Sequence, residues 1–132
     1  MIKVTIMTPH GLYKETEASI VNVVSEDGQR GIMPKHWPVV VSLIISKLVM
    51  QEGESRETYA IAGGTLYCHD DECMILTPAI ENAIDIDLER AEIAKERTEK
   101  HLKDPNADIK RATLALNKAL NRIAIKSAYD QH

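Results

Sequence analysis

The chain has 132 residues, of which 44% are hydrophobic and 27% charged, so it can build a core and is not disordered by composition. Its net charge is −4 and its aromatic content is only 4%, with Trp37 as the single tryptophan. Nucleic-acid-binding surfaces are basic and often carry aromatic platforms, so we expect no nucleic acid among the partners.

Short predicted strands fill the first part of the chain. Residues 2–6 alternate apolar and polar side chains, which is typical of a half-buried strand and unlike a signal peptide. Further predicted strands are residues 17–24, 31–33, 39–41, 43–50, 57–62, 65–68 and 73–77. No connection has room for a crossover helix, so the pattern predicts an antiparallel β-sandwich or barrel.

The longest apolar stretch, residues 39–50, is interrupted by two serines and a lysine. It is too short to span a bilayer, which needs about 20 predominantly apolar residues. We therefore expect a cytoplasmic protein without direct membrane insertion, whose link to any membrane runs through partners.

Residues 26–38 form an unusual segment with two glycines, two prolines and the only tryptophan. One interpretation is a rigid strand–turn–strand corner in which Trp37 serves as a plug. The other is a presented loop, because rigid loops that carry tryptophan and arginine are good anchors for protein contacts.

The two cysteines, Cys68 and Cys73, flank a predicted hairpin loop at residues 69–72 and face each other in the resulting register. In a reducing cytosol we interpret them as a reduced, half-buried pair, and the sequence leaves open whether they ever pair. A metal site that adds the histidine and an aspartate of the loop is disfavoured. The spacing is not that of a zinc knuckle, and no second Cys/His pair is present to complete it.

The pattern changes to a helical period after Pro78. Asp87 is placed to cap a first helix that begins at Leu88 and ends near Lys103, before the Asp-Pro-Asn break at residues 104–106. A second helix is predicted from Asp108. Its apolar stripe comprises Ala112, Ala115, Leu116, Ala119, Leu120 and Ile123. The sequence thus predicts a β domain over residues 1–84 and an antiparallel two-helix hairpin over residues 85–132.

The stripe of the first helix is thin and rich in small side chains: Leu88, Ala91, Ala94, Thr98 and Leu102. Alanine buries little apolar area, so an isolated hairpin of this kind gains only a modest hydrophobic term. The hairpin is therefore either a packed appendage or a movable element with two states of similar free energy.

The sequence contains none of the common nucleotide-binding or nucleophile motifs, so we predict no catalytic residues and no required cofactor. Lys118 and Arg122 lie four residues apart on one face of the second helix, and Arg90 lies about one turn from Asp87. These charges are either ordinary solvated side chains or an anion site that converges on phosphates.

Five segments, in order along the chain, resemble the epsilon subunit of bacterial F-type ATP synthases. They are G-Q-R-G-I-M-P-K-H-W-P (28–38), A-G-G-T-L-Y (62–67), M-I-L-T-P-A (74–79), I-D-L-E-R-A (86–91) and A-L-N-K-A-L-N-R-I (115–123). Each segment alone is weakly specific, but together they cover nearly the whole chain.

The resemblance implies a ten-stranded β-sandwich that binds the gamma subunit and touches the c-subunit ring. It implies a helical hairpin that folds against the sandwich or extends along gamma towards the alpha and beta subunits, where it blocks ATP hydrolysis. The expected role is that of a non-catalytic rotor subunit of a proton-translocating ATP synthase, held peripherally on the cytoplasmic side of the cell membrane. A free-standing nucleotide-sensing or adaptor module is the alternative.

The resemblance also implies ATP as a regulatory ligand of the hairpin. The residues that match the family's ATP-binding pattern are Glu81, Ile86, Asp87, Arg90, Ala91, Lys118 and Arg122. Lys118 stands where the family has an arginine. Its ammonium group lacks the planar, two-pronged donor geometry of a guanidinium, so we expect weaker binding of ATP.

A partner-contact loop is implied near the c ring. Its residues are Arg30, Met33, Lys35, His36 and Trp37. Lys35 stands where the family usually has glycine, and Trp37 where smaller residues are common. We therefore expect the surface that docks on the c ring to differ in detail from that of other family members.

Overall fold

The computed structural model describes residues 1–131, which fall into two compact units, Met1–Asn82 and a second unit from Ala83 onward. The strands of the first unit are β1 (Ile2–Thr8), β2 (Gly11–Ala18), β3 (Ile20–Ser25), β4 (Gly28–Ile32), β5 (Val39–Glu52), β6 (Ser55–His69), β7 (Glu72–Leu76) and β8 (Ile80–Asn82). The second unit holds a short 3₁₀ helix (Ala83–Asp85), α1 (Leu88–Leu102) and α2 (Ile109–Asp130).

Hydrogen-bonded neighbours follow the order β2-β1-β7-β6-β5-β3-β4, and β8 pairs with β6. The pairs are antiparallel except for β1 and β7, which run parallel. This parallel pair needs no crossover helix, because the strands between β1 and β7 themselves form the connection.

The two long strands β5 and β6 belong to both layers of the sandwich. The C-terminal part of β6 pairs with β7 and its N-terminal part with β8, while the end of β5 pairs with β3. The sequence pattern predicts four short strands here, and that prediction is wrong, since the structure has two long ones. Gly63 and Gly64, at φ +81° and +130°, let the chain bend without ending the strand. When each long strand is counted once in each layer, the eight strands supply the ten strand segments that the resemblance implies.

The core lies between the two layers and is made by alternating positions. In β1, Ile2, Val4 and Ile6 are at most 1% exposed, whereas Lys3 is exposed between them. The other buried apolar residues of this cluster include Val21, Val23, Ile32, Leu48, Tyr59, Ile61, Leu66 and Ile75. The cluster lies entirely within the first unit, so this unit carries its own hydrophobic core.

Gly64 marks a very close approach of two strands. A Cβ atom at this position would overlap the carbonyl oxygen of Leu76 in β7. The buried hydroxyl of Thr77 donates to the carbonyl oxygen of Gly63 at 2.7 Å and ties the two segments together. Only glycine fits here without moving the backbone.

A polar cluster of three side chains joins β2 to β6. The Nζ of Lys14 donates to the phenol oxygen of Tyr59 and to the carboxylate of Glu57, both at 3.1 Å. The phenol in turn donates to Glu57 at 2.7 Å. Burial, followed by the hydrogen bond to Glu57, raises the pKa of Tyr59 from 10.0 to about 12. The hydrogen bond from Tyr59 lowers the pKa of Glu57, so this carboxylate stays ionised beside Lys14.

The raised pKa of Tyr59 predicts a pH dependence of stability. The contribution of the neutral phenol is fully present below pH 10.0 and is lost as pH rises towards about 12. In a near-ultraviolet absorbance titration we expect one late tyrosinate step, which Tyr59→Phe removes. Tyr67→Phe, which replaces a partly exposed tyrosine, should leave the late step in place. A late step that persists in Tyr59→Phe would contradict the assignment.

The helical unit follows the predicted pattern closely. The carboxylate of Asp87 accepts from the amide of Arg90 at 3.1 Å, and that of Asp108 accepts from the amide of Arg111 at 3.1 Å, so each helix begins at an aspartate cap. The predicted stripe of α1 is buried or half-buried throughout, and Ala91 is its most buried residue. The buried residues of α2 are Ala112, Ala119 and Ile125, whereas Ala115 and Leu120 of the predicted stripe are exposed, so the stripe was only partly right. Three of the four buried residues of the two helices are therefore alanines.

In the described part of the chain, neither helix is long and apolar enough to cross a membrane.

Candidate functional site

Residues 33–38 follow β4 and form an exposed loop, called here the 33–38 loop. Trp37 is 85% exposed and Met33 is 57% exposed. Our interpretation of Trp37 as a plug of a rigid corner was therefore wrong, and the alternative of a presented loop agrees with the structure. Arg30 lies apart from the loop, exposed within β4.

A hydrogen bond to the β6–β7 turn holds the 33–38 loop. The amide of Lys35 donates to the carboxylate of Asp71 at 2.6 Å, and Asp71 also accepts from the amide of Lys3 through its carbonyl oxygen at 2.9 Å. Lys35 has φ +64°, a left-handed conformation that favours glycine. This explains in physical terms why a glycine suits position 35 in the family that the sequence resembles.

The β6–β7 connection is a tight turn with Asp70 and Asp71 at its centre. Both have positive φ, 52° and 60°, which is the conformation of a type I′ hairpin turn. The turn directs the carboxylate of Asp71 towards the 33–38 loop.

Cys68 and Cys73 pair across this hairpin, as the predicted register requires. The structure joins them in a disulfide and buries both residues, with 7% and 3% of their surfaces exposed. The prediction of a reduced, half-buried pair was therefore wrong, and the two cysteines are oxidised and buried. The directly opposed positions, with Cα atoms 4.1 Å apart, bring the two sulfurs within bonding reach.

An apolar surface covers the outer side of the layer that contains β7, and we call it the outer apolar face. One cross-strand row joins Val40, Tyr67 and Met74, which are 66%, 45% and 44% exposed. A second row joins Leu76, Met7 and Leu12. The pairing of Tyr67 with Met74 is local to the β6–β7 hairpin, but the full surface depends on strand neighbours that only the fold reveals. An exposed apolar patch of this kind marks an interaction site more often than chance.

The residues predicted to bind ATP are spread over both units. Glu81 is half-buried in β8 of the first unit. In the second unit Ile86 and Ala91 are buried, Asp87 caps α1, Arg90 and Lys118 are exposed, and Arg122 is half-buried. Nothing in the structure tests whether these residues bind a nucleotide, and their role remains a prediction.

Lys126 fixes the end of the hairpin that carries the start of α1. Its Nζ donates to the carbonyl oxygens of Ala83 and Ile84 at 3.2 Å and lies 3.5 Å from the carboxylate of Asp130. Arg122, one turn earlier on α2, therefore belongs to the same end of the hairpin as Asp87 and Arg90. Lys126 itself has a structural role there.

A groove of about 520 Å³ lies at the opposite end of the hairpin. Its polar lining includes Arg97, Lys100, His101, Asp104, Asp108 and Arg111. The residues predicted to bind ATP do not line this groove, so its size does not bear on that prediction. Across residues 1–131, no cluster of histidine, cysteine and acidic side chains is arranged to hold a metal ion.

Comparison with known families gives matches to both parts of the chain. Residues 1–83 match the model described as ATP synthase, Delta/Epsilon chain, beta-sandwich domain. Residues 85–127 match the model described as ATP synthase, Delta/Epsilon chain, long alpha-helix domain.

Individual relatives are similar along nearly their whole length. The ATP synthase epsilon chain of Halalkalibacterium halodurans is 38% identical over 127 residues, which cover 94% of this chain and 96% of the relative. The epsilon chain of Bacillus cytotoxicus is 39% identical over 126 residues, which cover 94% of this chain and 95% of the relative. Among solved structures, a chain of the Euglena gracilis mitochondrial ATP synthase (OSCP/F1/c-ring) is similar with a TM-score of 0.81 and 20% identity. That alignment covers 99% of this chain and 81% of the other, and shows a shared fold.

Proposed function

The chain belongs to the ATP synthase epsilon-chain family, and from this we propose that it is a non-catalytic rotor subunit that couples c-ring rotation to gamma and restrains ATP hydrolysis. The observation that carries the proposal is the pairing of an exposed apolar face with a separate, thinly packed helical hairpin. The first suits permanent docking, and the second suits regulation. In this role the protein is peripheral to the membrane, on its cytoplasmic side.

We assign the outer apolar face to the gamma subunit. Its central row consists of apolar side chains on three neighbouring strands, so it is a rigid and continuous surface. Tyrosine and methionine are enriched at interface cores, and burying Tyr67 and Met74 would supply a hydrophobic centre for the contact.

The 33–38 loop is the proposed contact with the c ring. Trp37 offers a large exposed apolar surface, and Lys35 and His36 beside it offer polar groups. A tryptophan on a loop held by the Lys35–Asp71 hydrogen bond loses little conformational freedom when it binds.

Substitution of Tyr67 tests the docking assignment. In Tyr67→Glu, we expect co-purification with gamma to fall by about tenfold or more, because docking would bury an unpaired charge. Gln29→Glu adds the same charge at an exposed position of β4 and should leave co-purification unchanged. Equal recovery of gamma with both variants would remove the outer apolar face as the docking surface.

The same purification separates the proposal from its alternative. A rotor subunit isolated from detergent-solubilised membranes brings gamma, alpha and beta with it. A free-standing nucleotide-sensing module does not.

ATP is the proposed regulatory ligand of the hairpin. Arg90 is exposed in the first turn of α1, where the helix dipole is also favourable to anions, and Arg122 belongs to the same end of the hairpin. Buried Ile86 and Ala91 fix the backbone at this end. A ligand that binds the compact hairpin better than the extended one shifts the equilibrium by that difference in affinity.

An NMR titration of the full chain with ATP tests this proposal. We expect saturable shifts in the amides of the first turn of α1. In Arg90→Ala we expect the affinity to fall by about 10- to 150-fold, since a hydrogen bond to a charged group contributes about 1.5 to 3 kcal/mol. Lys95→Ala removes a cation from the middle of the same helix, where it is paired with Glu99, and should leave the affinity unchanged. Absence of saturable shifts at millimolar ATP would refute ATP binding.

A further inference from the structure

The disulfide lies under the 33–38 loop. A small gap of about 10 Å³ separates the two, and its lining includes Met33, His36, Asp71 and both cysteines. Both cysteines are almost fully buried and belong to the core cluster, and Met33 and His36 of the loop line the gap beside them.

Little free space separates the 33–38 loop from the disulfide. Two thiols in van der Waals contact lie further apart than two bonded sulfurs, so reduction requires more room beneath the loop. A gap of about 10 Å³ holds no more than one water-sized probe and cannot supply that room. The neighbouring strands are fixed by the β5–β6–β7 ladder, which pairs Val39 with Cys68 and Cys68 with Cys73. Among the residues that line the gap, Met33, His36 and Asp71 lie outside the strands, so the 33–38 loop and the turn that anchors it are the parts able to move.

The loop and the disulfide also share an anchor. Asp71 lies two residues before Cys73 in the turn that the disulfide closes, and its carboxylate holds the amide of Lys35 at 2.6 Å. A shift of this turn therefore changes the hydrogen bond that positions Trp37.

We propose that Cys68 and Cys73 form a reversible dithiol–disulfide pair whose oxidation state sets the position of the 33–38 loop. The reductant is a dithiol. One of its thiolates attacks a sulfur of the pair, forms a mixed disulfide and releases the other cysteine, which takes up a proton. The second thiol of the reductant then displaces the first cysteine. Two electrons and two protons end on the cysteines, and the reductant leaves as its own disulfide.

The Lys35 amide reports on this switch in the full chain. We expect dithiothreitol to release two titratable thiols, to shift the Lys35 amide resonance and to accelerate its hydrogen exchange by about tenfold or more, because the bond to Asp71 weakens. The amide of Leu48, in the β5–β6 ladder far along the strand from the disulfide, serves as the internal control and should not change.

Two variants separate a switch from a purely structural crosslink. Cys68→Ser/Cys73→Ser should show the rapid Lys35 exchange without reductant and no further response to dithiothreitol. Asp71→Asn keeps a residue that tolerates the turn but weakens the anchor, so Lys35 should exchange rapidly in both redox states. The proposal is overturned if Lys35 exchange is unchanged after two thiols have been released, or if the air-oxidised chain already titrates two free thiols. These measurements need no partner subunit, so their outcome is independent of the rotor assignment.

Discussion

Replacing Gly64 by alanine is expected to destabilise the first unit by about 4 kcal/mol or more. The new Cβ would overlap the carbonyl oxygen of Leu76, and φ +130° is itself unfavourable for alanine. The overlapping atom belongs to the backbone of β7, so relief requires a shift of a whole strand. Urea unfolding followed by circular dichroism measures the loss.

Gly28→Ala is the matched control for this substitution. Gly28 has a similar φ of +116° but nothing lies within 4 Å of a Cβ atom there. It should lose only the conformational part, about 1 to 3 kcal/mol. If the two variants are equally destabilised, the close approach at Gly64 does not matter and the sandwich tolerates a wider gap.

Removal of residues 83–132 is expected to raise the ATPase activity of the assembled synthase by about fivefold or more, the lower end of typical allosteric coupling. The first unit should still fold, because the core cluster lies entirely within Met1–Asn82. Three of the four buried residues of α1 and α2 are alanines, so apolar burial stabilises the hairpin only modestly. Steady-state hydrolysis of ATP by the purified complex is the measurement.

The rate of ATP hydrolysis is informative only if the truncated chain remains bound to the synthase. Gamma should co-purify with the truncated and intact chains in equal amounts, since the outer apolar face is retained. With equal occupancy, an unchanged rate of hydrolysis would show that the hairpin does not inhibit. The proposed gamma contact would be untouched by that outcome.

Local patterns account for the parts of the fold that could be predicted. The alternation of residues 2–6 predicts the buried side of β1, and aspartate caps predict where both helices begin. The facing positions of Cys68 and Cys73 follow from hairpin geometry. In each case the relevant interaction joins residues close in sequence.

The features that were missed depend on contacts between distant segments. Gly63 and Gly64 look like a strand break in sequence, but Leu76 and Thr77 pack against them and the strand continues. In the Lys14–Glu57–Tyr59 cluster, Lys14 is 43 residues from Glu57 and 45 residues from Tyr59 in sequence, so no local pattern indicates the contact.

The candidate sites also differ in whether local sequence or distant contacts determine them. Trp37 was ambiguous because a tryptophan between prolines suits either a core or a surface, and only the structure shows it 85% exposed. The disulfide could not be predicted from facing positions alone, because the same register suits free thiols. The residues predicted to bind ATP were chosen by motif resemblance, and they lie in both units, with Glu81 in β8 and the others in the helical unit.

The parallel pairing of β1 with β7 has a consequence for synthesis of the chain. Lys3 of β1 pairs with Glu72 of β7, which is synthesised almost 70 residues later. During synthesis, β1 therefore has only β2 as a neighbour until most of the sandwich has been made. Until then a nascent β1–β2 hairpin leaves the inner edge of β1 open, and open edges recruit other strands. The sandwich should therefore complete its fold late, after β7 has left the ribosome, and the second edge of β1 stays exposed until then.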